Sequence, residues 1–528
     1  MEGSMFCYQC QEAFGNKGCT TGGRCGETSE TANLQDRLIA ELKAVALTLE
    51  GRTNVTREFS RFIVRAMSAT LTDTNYNPDR IYSLIDEAKR ALRTLDSEVQ
   101  TPDPSILSVD DLEERSYREL LVYGLKGVCA FTFHALALGY EDNSIYNFII
   151  KALSASARTD TPHERLALLI VECGRIASIA MALLDEANTD SFGSPAICHI
   201  PFSAGPNPGI LMSGQDLKDL EELLIQTEHA GVDVYTHGDM LTANTYPAFR
   251  KFPHLKGGYG GSWWTQTKDF ASFNGPIVVN ANCLAPVQDA YRGRIFTTGM
   301  VGFKGIPHIT HRHIGMQKDF SAVIELARTL PPPTETEPGP LIPGPMAGFG
   351  HHQVCSGSVI NQIARYVESG SIRRFIVIVG EDGRDERREY YTDLVKTLPS
   401  DTIILTAGGA KYRFNHLDLG KISGIPRIMD VGQINDAYSI IRIALELQNA
   451  LGIRSIDKLP VSFVLSWYEQ KTIAVFLALL TLGFKNIRLG PTFPAFFSPG
   501  VLEVLTRDYG VKPVTTPEAD AAAMLEGN

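Results

Sequence analysis

Four cysteines, Cys7, Cys10, Cys19 and Cys25, fall within the first 25 residues in the spacing C-x2-C-x8-C-x5-C, although the 528-residue chain has only nine in all. Four thiolates on so short a segment can surround one soft metal centre, either a [4Fe–4S] cube or a structural zinc. The surrounding residues are rich in Gly, Asn and Thr, the composition of a loop wrapped around something rather than of a helix or strand. Disulfides are the alternative. They suit this chain less, because no secretory signal precedes the cysteines and a chain of this size needs no stapling.

A second set of reactive residues lies at the ends of apolar runs. Asp239 follows GVDVYTHG, Cys283 closes PIVVNAN, Glu381 closes FIVIVG, and Glu469 closes VSFVLSWY with Lys471 two residues on. Gly409 and Ile434 stand at the ends of two further runs, ILTAGGAK and MDVGQIN. In open parallel sheets, ligands bind beyond the carboxyl ends of the strands. If these ends converge, one pocket holds three carboxylates, a thiol and an ammonium, and such a pocket invites a cation because buried like charges repel. The alternative scatters the same residues over separate loops as solvated side chains.

Other features point to less. The segment GGYGGSWW (257–264) has no GxGxxG leading into a helix, so it does not read as a nucleotide site. His308, His311 and His313 could ligate zinc, but in a polar loop solvent exposure is the simpler state. The run RDERRE (384–389) reads as a solvated helix start. No Ser/His/Asp order and no phosphate-binding loop stands out. Cys129, Cys173, Cys198 and Cys355 read as buried structural thiols.

These residues need a scaffold. From 32 to about 188 apolar residues recur at three- and four-residue intervals, the pattern of a helical bundle. After 202 short β-branched runs alternate with helical patterns, which indicates parallel sheets covered on both faces. A passage with seven prolines at 331–345 reads as a stiff connector. The chain therefore divides into a cysteine loop (1–31), a helical bundle (32–202) and two α/β domains (203–335 and 346–528). The fold class is α plus α/β, multidomain.

Composition sets outer limits. The net charge of −11 argues against nucleic acid as the main partner. The longest apolar stretch, 473–484, is about a dozen residues and reads as a buried helix rather than a membrane span. The expected location is the cytoplasm or another reducing compartment.

The opening MFCYQCQEAFGNKGCTTGGRCGETSETANLQD resembles that of the hybrid-cluster proteins, also called prismane proteins or hydroxylamine reductases. So do NPGILMSG, GVDVYTHGDM, PAFRKFPHLKGGYGGSWW, GPIVVNANC, AKYRFNHLDLG, GQINDAYS, SWYEQK and LGPTFPAF, so the resemblance covers essentially the whole chain. It implies a helical domain, two Rossmann-like domains and a cubane Fe–S cluster on Cys7, Cys10, Cys19 and Cys25. It also implies a second centre, a mixed iron–sulfur–oxygen hybrid cluster held by one histidine, two glutamates and four cysteines. Cys283, Glu469 and Lys471 match that site. Elsewhere Gln215 stands for the histidine, Asp239 for a glutamate, and Glu381, Gly409 and Ile434 for three cysteines.

One thiolate cannot anchor a four-iron centre, so the usual hybrid cluster is not expected and the family's catalysis is in question. Three readings follow. The chain is a single-cluster redox protein, or an active hydroxylamine or nitric oxide reductase with Glu469 and Lys471 in catalysis, or an enzyme with a rebuilt metal site on Asp239, Cys283, Glu381 and Glu469. Hard carboxylate donors suit iron, manganese, magnesium or zinc. The partners implied are a redox protein as electron donor, a small nitrogen oxide if the chain is active, and no membrane. Association with a complete homologue, or a monomer, completes the expectation.

Overall fold

The computed structural model describes residues 4–52, 56–281, 283–310, 316–334 and 344–528. The helices Ser29–Leu49, Arg57–Ser68, Pro78–Thr94, Leu112–Ala137, Asn143–Ala157 and His163–Phe192 come first. Their starts are written in the sequence. Thr28 caps the first through the N–H of Thr31, Asn77 precedes a proline at the first helical position, and Asp111 accepts from Glu114 N–H.

A further helix, Gln470–Thr481, arrives from far along the chain and packs against Leu112–Ala137 and His163–Phe192. Glycines make the approach possible: a Cβ on Gly127 would lie 2.4 Å from the Gln470 carbonyl oxygen, and one on Gly174 2.2 Å from that of Leu477. This helix is buried along nearly its whole length, which explains its continuous apolar sequence. Leu112–Ala137 and His163–Phe192 are long and apolar enough to cross a membrane by length and composition alone, a feature the sequence reading passed over. Their most apolar windows are 83% and 50% buried within the protein.

Two parallel sheets follow. The first has the strand order Leu255–Gly258, Asp233–His237, Gly209–Ser213, Ile277–Val279, Ile295–Thr298 and His308–Ile309. The second runs Lys512–Pro513, Arg488–Gly490, Val461–Ser466, Arg374–Gly380, Thr402–Ala407, Ile428–Gly432, Met346–Ala347 and Cys198–His199. Only its last pair is antiparallel. Central strands such as Gly209–Ser213 and Thr402–Ala407 are buried at every position, because helices or loops cover both faces.

Two features cut across the segment boundaries drawn from sequence. Cys198–His199, at the end of the helical segment, forms an edge of the second sheet, and Gln470–Thr481 leaves that sheet to join the helices. Most of the proline-rich connector, 335–343, lies outside the described residues.

Candidate functional site

The cysteine segment is a loop with one short turn, Phe14–Asn16, closed on itself where Cys7 N–H donates to Cys19 C=O (3.0 Å) and Cys19 N–H to Cys7 C=O (2.8 Å). Cys10, Cys19 and Cys25 are buried, Cys7 is half-buried, and none of the nine cysteines is in a disulfide. Among the described residues no three of these sulfurs lie within 4.8 Å of one another. A tetrahedral zinc, with Zn–S near 2.3 Å, draws its sulfurs to about 3.8 Å apart. Gly23 keeps room for the last ligand, since a Cβ there would lie 2.7 Å from Cys25 Sγ, and Gly26 (φ +96°) passes Pro286 where no side chain fits. Burial pushes the Cys7, Cys10 and Cys25 thiols well above their ordinary range, a penalty that bound metal cations would reverse.

This loop is tied directly to the second sheet. Gln11 N–H donates to Tyr468 C=O (3.0 Å), and Gln470 Nε2 donates to Gln9 C=O (2.8 Å). Arg388 reaches Gln11 Oε1, Trp467 C=O, Ser466 Oγ and Glu381 C=O at 2.8–2.9 Å, while Arg384 N–H donates to Glu12 (2.7 Å). The expectation of a solvated face for 384–389 holds for Glu386, Arg387 and Glu389, which are exposed, and is corrected for Arg388, which is 0% exposed and serves as an internal connector. The charge pattern of RDERRE shows a polar segment but not which of its arginines has buried acceptors waiting.

The strand ends do converge. Gln215, Asp239, Cys283, Glu381 and Gly409 line one buried cavity of about 20 Å³, with Trp263 and Tyr412 in its wall. Lys471, fully buried, donates to Gln215 Oε1; Gln215 Nε2 donates to Asp239 Oδ2 (3.0 Å), as does Ile434 N–H (3.3 Å). Glu469 caps the Gln470–Thr481 helix by accepting from Lys471 N–H at 2.9 Å. Glu381 accepts from Gly409 N–H at 3.2 Å, and a Cβ on Gly409 would lie 2.5 Å from its Oε2. Burial first, then the nearby Asp239 charge, pushes the Glu381 carboxyl well up. Glu469 and the Cys283 thiol are likewise raised, mainly by burial. The Glu381 carboxyl also pairs with that of Asp239, while Glu469 Oε1 has no hydrogen-bond partner.

A chain of hydrogen bonds that sequence order had not suggested runs beside this cavity. Ser213 Oγ meets His237 Nδ1 (3.0 Å), and His237 Nε2 meets Asp269 Oδ2 (3.1 Å). Ser213 lines the buried cavity, and Asp269 lines a cleft of about 1200 Å³ walled also by Lys268, Lys396 and Arg413. The three residues come from two strand ends and a helix, so no linear motif announces them. The segment 257–264 borders both spaces through Ser262.

This geometry can be set beside known proteins. A model of the Prismane/CO dehydrogenase family matches residues 5–522. The chain belongs to that family. It is 46% identical to a hydroxylamine reductase of Desulfitobacterium hafniense over 547 residues, covering 98% of both chains, and 46% identical to one of Nitratidesulfovibrio vulgaris, covering 99% and 100%. A solved carbon monoxide dehydrogenase from Carboxydothermus hydrogenoformans superposes with a TM-score of 0.57 at 15% identity, over 98% of this chain and 92% of that one. At that identity the likeness is one of fold.

Within the prismane frame the second centre does not fit the residues present. Glu381 fills the space above Gly409, Ile434 is buried among apolar side chains, and about 20 Å³ holds roughly one water. Among the described residues, no three donor atoms of Asp239, Cys283, Glu381 and Glu469 lie within 4.8 Å.

The remaining thiols divide. Cys129 and Cys173 are fully buried between helices, as expected. Cys198 and Cys355 are only half-buried, which corrects the reading of both as buried; neither sits within a long periodic helix that could enclose it. His308 is half-buried with Nδ1 3.1 Å from Thr297 Oγ1, and His311 and His313 lie outside the described residues.

Proposed function

We propose that this prismane-family chain is a single-cluster iron–sulfur redox protein, with a [4Fe–4S] cluster on Cys7, Cys10, Cys19 and Cys25 and no hybrid cluster. The observation that carries the reading is Glu381, whose carboxylate occupies the volume above Gly409 and accepts its N–H. The cluster supplies one-electron transfer when bound. The chain's own part is to supply four thiolates from a closed loop, to exclude water by burying three of them, and to fix the loop through Arg388, Gln470 and Tyr468. The electron donor is a redox protein that docks beside Phe14, 68% exposed between Cys10 and Cys19. Metal and acid-labile sulfide analysis of anaerobically purified protein tests the proposal. About four irons and four sulfides per chain, with one cubane signal in electron paramagnetic resonance, support it; clearly more iron sinks it.

A second reading rests on the orphaned Oε1 atom of Glu469. A single hard cation would satisfy it if the side chains of Asp239, Cys283, Glu381 and Glu469 rotated inward, since no three of their donor atoms stand within 4.8 Å as they lie. It predicts one non-cluster metal that disappears in Asp239→Ala/Glu381→Ala, and an unchanged metal count there ends it. The family's hydroxylamine reduction, with Glu469 and Lys471 at the reacting centre, is checked by reductant-dependent ammonia release; none at high protein concentration rules it out.

A further inference from the structure

Far from both sites in sequence, Asp185 near the end of the His163–Phe192 helix meets two adjacent histidines, His351 and His352, that open the short helix His351–Val354. One ligand atom from each lies within 4.8 Å of the others. Both Nε2 atoms stand 3.7 Å from Asp185 Oδ2, beyond hydrogen-bond length, and the two rings lie tilted by 38° with centroids 3.9 Å apart. Two imidazole nitrogens and a carboxylate oxygen therefore point at a common centre without bonding to one another.

A metal ion accounts for that arrangement. Ligands about 2.0–2.1 Å from a tetrahedral zinc stand about 3.3–3.4 Å apart, a few tenths of an ångström less than the two histidine–Asp185 separations. Orientation is also provided for: His351 Nδ1 lies 3.1 Å from Ser439 Oγ, which leaves Nε2 as the atom facing Asp185. Of the charged neighbours, Arg442 is engaged by Glu446 at 2.7 Å. Asp185 and His351 side chains are 13% and 12% exposed and His352 36%, so the site is open on one side, where water completes the coordination.

We propose that Asp185, His351 and His352 bind one divalent transition-metal ion, best matched by zinc, clamping the helical layer to the edge of the second sheet. A two-nitrogen, one-oxygen set of borderline donors with an open position suits zinc, cobalt or nickel better than calcium or magnesium, which take oxygen. The site is independent of the cluster assignment above.

The experiment titrates Zn²⁺ into anaerobic holoprotein of known iron content against a chromophoric chelator, for the wild type and for His352→Ala, Asp185→Asn and Ser439→Ala. The expected result is one zinc per wild-type chain, lost in the first two variants and weakened about 10–100-fold in the third, with iron content unchanged. Cobalt in the site should show ligand-field bands without a thiolate-to-cobalt charge-transfer band. Equal zinc binding by wild type and His352→Ala, or a thiolate band with cobalt, overturns the proposal. His352, half-exposed and near the surface, is the variant that keeps the test informative if Asp185→Asn fails to fold.

Discussion

Gly409 and Glu381 act as a pair: the glycine leaves the space that the glutamate fills, and its N–H binds the carboxylate there. Gly409→Ala should then cost about 1–3 kcal/mol in urea unfolding, from overpacking against a buried carboxylate. In a Glu381→Ala background the same change should cost almost nothing, and additive costs would show that the two residues share no volume. Asp436 offers a test of a different kind. Burial pushes its carboxyl up to about 7, although Tyr246 Oη (2.8 Å) and Gln433 N–H (2.7 Å) donate to it. Folded chains keep that proton where an unfolded carboxyl, near 4, has lost it, so this group makes stability fall as pH rises from about 4 through about 7. Asp436→Asn should flatten the pH dependence of thermal melting across that window; an unaltered slope would assign it elsewhere. At this scale the sequence offered Asp239, Cys283, Glu381 and Glu469, because each follows closely on a strand, and Lys471 because it opens the helix after the last of them. Ser213, His237 and Asp269 stayed hidden, since their alignment depends on how three separate elements stack.

The element that matters most to the second pocket is the helix Gln470–Thr481, because its first turn carries Lys471 and its cap is Glu469. Its position is set by backbone approach at Gly127 and Gly174, not by side-chain interdigitation. Gly174→Ala places a methyl group 2.2 Å from the Leu477 carbonyl oxygen, and neither main chain has a flexible end to yield. Chemical denaturation should show a loss of more than about 2 kcal/mol, well beyond the small helix-propensity gain of alanine over glycine. A neutral or stabilising effect would mean that the helices sit farther apart. Periodicity showed that both partner segments are helical. It could not show that a helix 300 residues downstream belongs between them, because an all-apolar helix has no face that names its neighbour. Short edge strands such as Cys198–His199 and Met346–Ala347 were illegible for a similar reason: two residues carry no pattern.

Taken as a whole, the molecule retains a two-sheet frame whose strand ends meet at one point, while the residues at that point no longer form a thiolate set. If, as proposed, these side chains alone keep a second centre from forming, installing the family's ligands should bring metal there. The variant Gln215→His/Asp239→Glu/Glu381→Cys/Gly409→Cys/Ile434→Cys rebuilds the ligand set that the resemblance implies, alongside Cys283 and Glu469. Gly409 is absent from the glycines of positive φ, so its backbone accepts a side chain once Glu381 is shortened. Removing Gln215 also frees the Lys471 ammonium, and removing Glu381 takes away a carboxyl that burial and the Asp239 charge make hard to ionise. Anaerobic reconstitution with iron and sulfide should raise iron in this variant above the roughly four per chain expected of the parent. The Cys10→Ser version of the same variant then separates the centres: it should lose the cubane signal and keep the additional iron. Iron that stays at the parental level, in protein with an unchanged melting temperature, would place the cause outside these five side chains, in a frame that has closed around the pocket.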